Sequence, residues 1–362
     1  MRVLQEPAAR GRENPALPSP PPIVRAARCQ PVERTPVWFM RQAGRSLPEY
    51  RAVRERHDIF SICRNPELCA QVSLQPVSRL GVDGAVLFAD IMLPIAFGLG
   101  VDLKLVEDVG PVIDRPIRSA ADVEALRATP MVEAVPFVLE AIRILRREVD
   151  PAVGVIGFSG APFTLAGYLI EGKPSRDFLR TKSMMYSEPR LWGALMDRLT
   201  EMVLDYLRAQ AAAGAHLVQL FDSWVGTLSA ADYQEFAAPW VTRIFDGLRS
   251  DGIPAIHFGT GNAALIPAMR DAGGDVIGLD WRVDLGATWK HELGYTRGVQ
   301  GNLEPAAMLG PWSVIESKAK TILKGAAGRP GHIFNLGHGV LPATPVEHVK
   351  ALVDMVHELS AR

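Results

Sequence analysis

Residues 36–45, "PVWFMRQAGR", run from a short apolar stretch directly into two arginines four positions apart. The segment 37–40 has the β-branched and aromatic content of a buried strand, and it stops abruptly at Arg41. Seven more runs of this kind follow, at 84–88, 153–158, 216–221, 253–258, 275–280, 297–302 and 332–337. They are nearly continuous in apolar character, the pattern of parallel strands covered on both faces. Segments of helical period lie between most of them. The segment 187–214 opens with Ser187 and Pro189 and stops at Gly214; 344–359 opens with Thr344, Pro345 and Glu347, which predicts a capping box with proline at the first helical position. Eight strands alternating with helices, with no linker between 36 and 362, predict a single (β/α)8 TIM barrel. Two smaller doubly wound domains are the alternative.

Composition limits what such a barrel can do. The chain has 362 residues, 48% of them hydrophobic, enough for one large core. A formal net charge of -1 supplies no global field for nucleic acid or a membrane surface, so any basic site must be local. No apolar run is long enough for a transmembrane helix. Three cysteines, Cys29, Cys63 and Cys69, make no disulfide framework and suggest a reducing, cytoplasmic setting. Residues 1–35, with "NPALPSPPP", are expected to be a flexible Pro-rich tail, leaving 36–362 as the catalytic domain.

In barrels of this class chemistry sits at the carboxyl ends of the strands, so the residues just beyond each run matter most. They are polar: Arg41, Asp90, Asp222 with Ser223, His257, Asp280, Asn302, and Asn335 with His338. Arg41 and Arg45 flank Gly44 and suit a bidentate grip on carboxylate or phosphate. Arg51, Arg54 and Arg56 continue the cluster but read more readily as a solvated helix face. Asp90, at the end of an apolar run, needs hydrogen-bond donors or an ion pair with Arg41 or Arg45. Tyr168 follows the turn at Gly160, Ser223 suits a hydrogen-bond donor better than a nucleophile, and His338 sits between two glycines. No phosphate loop, dinucleotide fingerprint or zinc spacing is present, which predicts cofactor-free and metal-free chemistry on an anionic substrate.

The ordered set "PVWFMRQAGRSLPEYR", "LFADI", "GFSGAPFTLAGYLIEG", "QLFDSWVG", "GLDW", "QGNLEP" and "NLGHGVLP" resembles the uroporphyrinogen decarboxylase family of haem biosynthesis from about residue 36 to the end. The resemblance implies a homodimeric barrel that uses no cofactor. It would remove CO2 from the four acetates of uroporphyrinogen III, an octacarboxylate tetrapyrrole, to give coproporphyrinogen III. It also implies roles. Arg41, Arg45 and Arg54 would hold carboxylates, Asp90 would accept the pyrrole N–H groups, and Tyr168, Ser223 and His338 would complete the pocket. Asp90, Arg41 and Tyr168 are the expected catalytic residues. Ser46 and Ala89 depart from the family pattern, which more often has an aromatic residue and serine there. The competing readings are a methyltransferase of the same barrel superfamily and a barrel that only carries tetrapyrroles.

Overall fold

A computed structural model describes residues 19–106 and 110–362. Its strands are β1 (Gly84–Val86), β2 (Leu103–Val106), β3 (Gly110–Ile113), β4 (Gly154–Gly160), β5 (Leu217–Asp222), β6 (Ala255–Gly259), β7 (Val276–Gly278), β8 (Gly298–Leu303) and β9 (His332–Leu336). Seven of them form one parallel sheet in the order β1-β4-β5-β6-β7-β8-β9. Every sheet position from β4 to β9 is buried except Phe221, as expected for strands covered by helices outside and by side chains inside.

The run 37–40 closes the sheet into a barrel, but with fewer ladder bonds than its sequence promises. Val37 bridges Phe334 in parallel. The Trp38 N–H donates to the Phe334 carbonyl (3.3 Å) and the Phe334 N–H to the Pro36 carbonyl (2.9 Å), while the Asp83 N–H donates to the Val37 carbonyl (2.8 Å) on the other side. Side chains take the remaining backbone donors: Val37 N–H goes to Asp83 Oδ2, Phe39 N–H to Gln42 Oε1 and Met40 N–H to Asn335 Oδ1. The eighth strand is thus a single bridge pinned by carboxylate and amide groups. Inside the barrel, Trp38 Nε1 donates to Gln300 Oε1 and Gln300 Nε2 to Gln219 Oε1, both at 2.9 Å, tying the first run to β8 and β5.

Residues 1–18 of the expected tail lie outside the described residues. Residues 19–35 correct that expectation, because they belong to the fold. Pro22 starts a helix, α1 (Pro22–Ala27), in which Ile23, Val24, Ala26 and Ala27 are buried. A Cβ placed on Gly154 would lie 2.3 Å from Ile23 Cγ2, so α1 seats Ile23 against the amino-terminal ends of the strands and covers the barrel floor. The proline-rich composition read as tail because it also describes a short helix entry. The helix expected from Thr344 begins later, at Val346, with Pro345 at the cap and no side-chain capping bond; Thr344 is itself buried. The long helix expected from Ser187 runs Pro189–Ala213 and ends at Gly214, whose φ of 120° favours glycine.

Asp83 joins three parts of the chain beneath the barrel. It is 5% exposed and receives Val37 N–H (2.8 Å), Arg34 (3.1 Å) and His357 Nε2 (2.6 Å), the last from the helix Val346–Ser360. Removing the carboxylate strands a buried amide and two cationic or polar partners. Asp83→Ala is therefore expected to lower unfolding stability by about 3 kcal/mol, measurable by urea denaturation; a change under about 0.5 kcal/mol, the usual effect of a surface substitution, would contradict this role.

Candidate active site

One cavity of about 1710 Å³ opens at the carboxyl ends of the strands, larger than the roughly 300–1,000 Å³ of ordinary small-molecule clefts. Arg41, Arg45, Arg54, Asp90, Tyr168, Ser223 and His338, all seven residues predicted for the site, line it. Arg51 and Arg56 do not; they are exposed on α2 (Pro48–Arg54) and just beyond it, and Arg51 reaches the Pro342 carbonyl at 3.1 Å. The solvated reading holds for those two, whereas Arg54 lines the cavity.

The two leading arginines are aimed by the backbone. Only six non-glycine residues have a positive φ among the described residues, and Arg41 (61°) and Arg45 (53°) are two of them, with Gly44 at 101° between. Such positions cost roughly 1–3 kcal/mol and persist where the surroundings impose them. The fold imposes this one from two sides. The Val340 N–H donates to the Met40 carbonyl, docking the loop after β9 onto the first run. Gly339 then leaves room for Arg41, since a Cβ there would lie 2.5 Å from its Cδ. Although the Arg41 guanidinium is open to the cavity, protein crowds it, and that desolvation followed by the neighbouring Arg45 lowers its pKa.

Asp90 follows the end of β1. Its Oδ1 accepts the Met92 N–H at 2.8 Å, and among the described residues it makes no ion pair with Arg41 or Arg45. Burial raises its pKa, opposed by the Met92 bond and by Arg41. The carboxylate is thus held at one oxygen and leaves the other to a ligand. Tyr168, carried by the helix Pro162–Glu171, packs against Trp224 and has its phenol pKa raised, first by burial and then by Asp90. His338 accepts the Gly339 N–H on Nδ1 at 2.7 Å. Burial, then Arg41 and Arg45, push its pKa down to about 4, so the ring is neutral near pH 7 and its proton must sit on Nε2, a donor. The Ser223 carbonyl is held by Thr260 Oγ1 at 2.7 Å, which fixes the turn after β5.

Several features of the cavity escaped the sequence reading. Phe158, Phe221 and Phe258 come from β4, β5 and β6 and stack edge to face, with centroids 5.5 and 5.7 Å apart. They give an otherwise cationic cup an apolar floor. The signal was present as one phenylalanine near the end of three successive runs. The antiparallel hairpin of β2 and β3, paired from Leu103 with Ile113 to Val106 with Gly110, adds Lys104 to the rim. Arg64, from α3 (Ile59–Arg64), adds a further cation. Ser46 is 8% exposed; beside it, Gly44 is flanked by the rings of Tyr50 and Phe88, 5.4 Å apart, which supply aromatic surface on that wall.

Among the described residues no group of three or more His, Cys, Asp or Glu side chains is placed to hold a metal ion, and no helix is long and apolar enough to cross a membrane. The chemistry the site offers is carboxylate binding, donation from a neutral imidazole, and one desolvated carboxylate facing an apolar floor.

Comparisons with known proteins agree with that chemistry. Residues 19–359 match the family model described as uroporphyrinogen decarboxylase (URO-D). Curated relatives include the uroporphyrinogen decarboxylase of Thermus thermophilus, 55% identical over 339 residues and covering 94% of this chain and 98% of that protein. That of Sorangium cellulosum is 51% identical over 337 residues, covering 93% and 96%. Among solved structures, a methyltransferase from Methanosarcina mazei superposes with a TM-score of 0.77 at 23% identity over 93% of this chain and 97% of that one. A B12-independent methionine synthase from Shewanella reaches 0.54 at 12% identity, over 81% and 88%. Those two likenesses concern the barrel alone, whereas the family model takes in every residue lining the cavity: the chain belongs to the uroporphyrinogen decarboxylase family.

Proposed function

We propose that the chain converts uroporphyrinogen to coproporphyrinogen by removing CO2 from its four acetate side chains, with the residues of the cavity in the following roles. The observation that carries this reading is a single large cup in which five cations, Arg41, Arg45, Arg54, Arg64 and Lys104, surround an apolar floor and two carboxylates, Asp58, engaged by Ser61 at the start of α3, and Asp90 at the strand end. A flexible macrocycle with eight carboxylates on its edge and four pyrrole N–H groups at its centre complements that distribution.

Decarboxylation of a pyrrole acetate needs an electron sink, and the ring itself supplies one. A proton adds to the α carbon beside the acetate-bearing carbon, leaving a cation delocalised onto the ring nitrogen. The C–CO2 bond breaks, and its electron pair enters the ring as an exocyclic methylene. A second proton converts the methylene to methyl while the α proton leaves, so the net change is one proton taken up and one CO2 released. Asp90 accepts the N–H groups and stabilises the cation in a desolvated setting, where a fixed charge acts strongly. Arg41 and Arg45 orient the reacting acetate, and the ring proton is delivered at Arg41, by its guanidinium or by a water held on it. Tyr168 and Ser223 contact the same acetate, and the His338 Nε2–H donates to a neighbouring carboxylate. Arg54 holds a second carboxylate further out. Residues 19–362 form the catalytic domain, acting as a homodimer in the cytoplasm. The three unpaired cysteines support that compartment.

Anaerobic incubation of the purified chain with uroporphyrinogen III, followed by oxidation and chromatography, is expected to give porphyrins of seven, six, five and four carboxylates in turn. Persistence of the octacarboxylate would reject the activity, and tight binding without turnover would favour a carrier.

A further inference from the structure

Leu87 makes the last ladder bond of β1, donating to the Ile156 carbonyl at 3.1 Å. Beyond it, residues 88–90 have no strand partner, and a buried backbone requires other partners. They come from α3 and from α4 (Pro66–Leu80), which pack behind the strand end. The Phe88 N–H donates to Ser73 Oγ at 2.8 Å, and the Ser73 hydroxyl donates onward to the Cys69 carbonyl at 2.8 Å. The Phe88 carbonyl accepts the Cys69 thiol at 3.1 Å and the Cys63 thiol at 3.7 Å. Cys63, Cys69 and Ser73 are at most 1% exposed, and none of them lines the cavity. Burial pushes the Cys69 thiol up to about 12 and raises the Cys63 thiol as well, so both remain S–H donors near neutrality.

We infer that Ser73, Cys69 and Cys63 are positioning residues: together they fix both backbone groups of Phe88 and so set where the Asp90 carboxylate stands beneath the substrate. The inference rests on the role proposed for Asp90. A shell that served packing alone would have no use for a serine at a fully buried site, where a small apolar residue fills the volume without a hydroxyl to satisfy. Here the hydroxyl and the nearer thiol each meet one group of the same peptide unit's residue, two positions before the carboxylate. A displacement of about 1 Å at a reacting group can cost on the order of 10²-fold in rate.

The test compares Ser73→Ala, Cys69→Ala and Cys69→Ser with the unaltered chain and with Asp90→Ala, recording kcat, KM and Tm for each. Ser73→Ala and Cys69→Ala are expected to lose about tenfold or more in kcat with KM within about threefold, while Cys69→Ser, which keeps a donor, recovers most of the loss. Lower Tm with unchanged kcat in both alanine variants would mark these residues as structural only and overturn the inference. If Ser73→Ala does not fold, the Cys69 pair decides by the same criterion. Should Asp90→Ala itself turn over normally, the reading of Asp90 fails and takes the inference with it; an inactive Asp90→Ala beside fully active shell variants overturns the inference alone.

Discussion

Asp90→Ala is expected to lower kcat by about 10³-fold while leaving Tm within a few degrees, because among the described residues the side chain makes one local bond, to Met92 N–H, and no ion pair whose loss would unfold the barrel. The expected loss reflects a single charge placed where water is excluded: removing one preorganised group that meets a developing charge commonly costs that much. Asp90→Asn separates charge from shape, since it keeps the size and one acceptor; it is expected to retain less than about a tenth of the activity. The pH profile follows from the same burial. The folded-state pKa of Asp90 is raised, and in the role proposed for it the ionised form stabilises the ring cation. Activity therefore falls as pH drops through that raised value, placing the acid limb of kcat/KM, which reports the free protein, above the ordinary aspartate value of about 3.9. His338 adds no inflection near pH 6.5, because its pKa lies at about 4. An Asp90→Ala variant with more than a tenth of normal kcat would remove Asp90 from the mechanism.

The second large effect is expected at Arg41, and it can be reached without touching the arginine. Arg41→Ala should reduce kcat/KM by about 10³-fold or more, since both carboxylate binding and delivery of the proton are assigned there. Arg41→Lys recovers little of this, because a compact ammonium cannot form the planar fork. Gly339→Ala is the more discriminating variant. Its Cβ would lie 2.5 Å from Arg41 Cδ and 2.8 Å from Cγ, and the inner stem of Arg41 has little freedom to retreat. That one methyl is expected to cause at least a tenfold loss in kcat/KM with the fold retained. Wild-type kinetics in Gly339→Ala would show that the stem of Arg41 is free to shift without consequence.

Much of this site was legible because barrel chemistry collects at strand ends, and strand ends are visible as the point where an apolar run stops. Arg41, Asp90, Ser223 and His338 were found that way, and the cavity holds all four. What the sequence hides is anything set by the third dimension. Phe158, Phe221 and Phe258 are ordinary apolar residues in their own runs and become a floor only when three strands stand side by side. Lys104 lies on a hairpin outside the strand–helix alternation, so a search organised by that alternation passed over it. The helix at Pro22–Ala27 was missed for a different reason, since proline enrichment marks flexible linkers and helix starts alike. Conversely, the strength of the first run as a strand was overstated: its apolar pattern is real, but Asp83, Gln42 and Asn335 intercept the backbone bonds that a ladder would use.

That pinned closure has a consequence for how the enzyme comes into being. The segment carrying Arg41 is held by Phe334, by Asn335 and, through Asp83, by His357; Thr35 N–H meets Ser360 Oγ and Arg362 N–H meets the Glu33 carbonyl. As the chain leaves the ribosome, the arginine clamp emerges well before the strand and helix that support it. Until β9 has been made, the sheet has an open edge on each side of the missing bridge, an arrangement prone to mispairing, and until about residue 357 has been made Asp83 lacks one of its three partners. Loss of the helix Val346–Ser360 would therefore disable a site whose own residues are all still present.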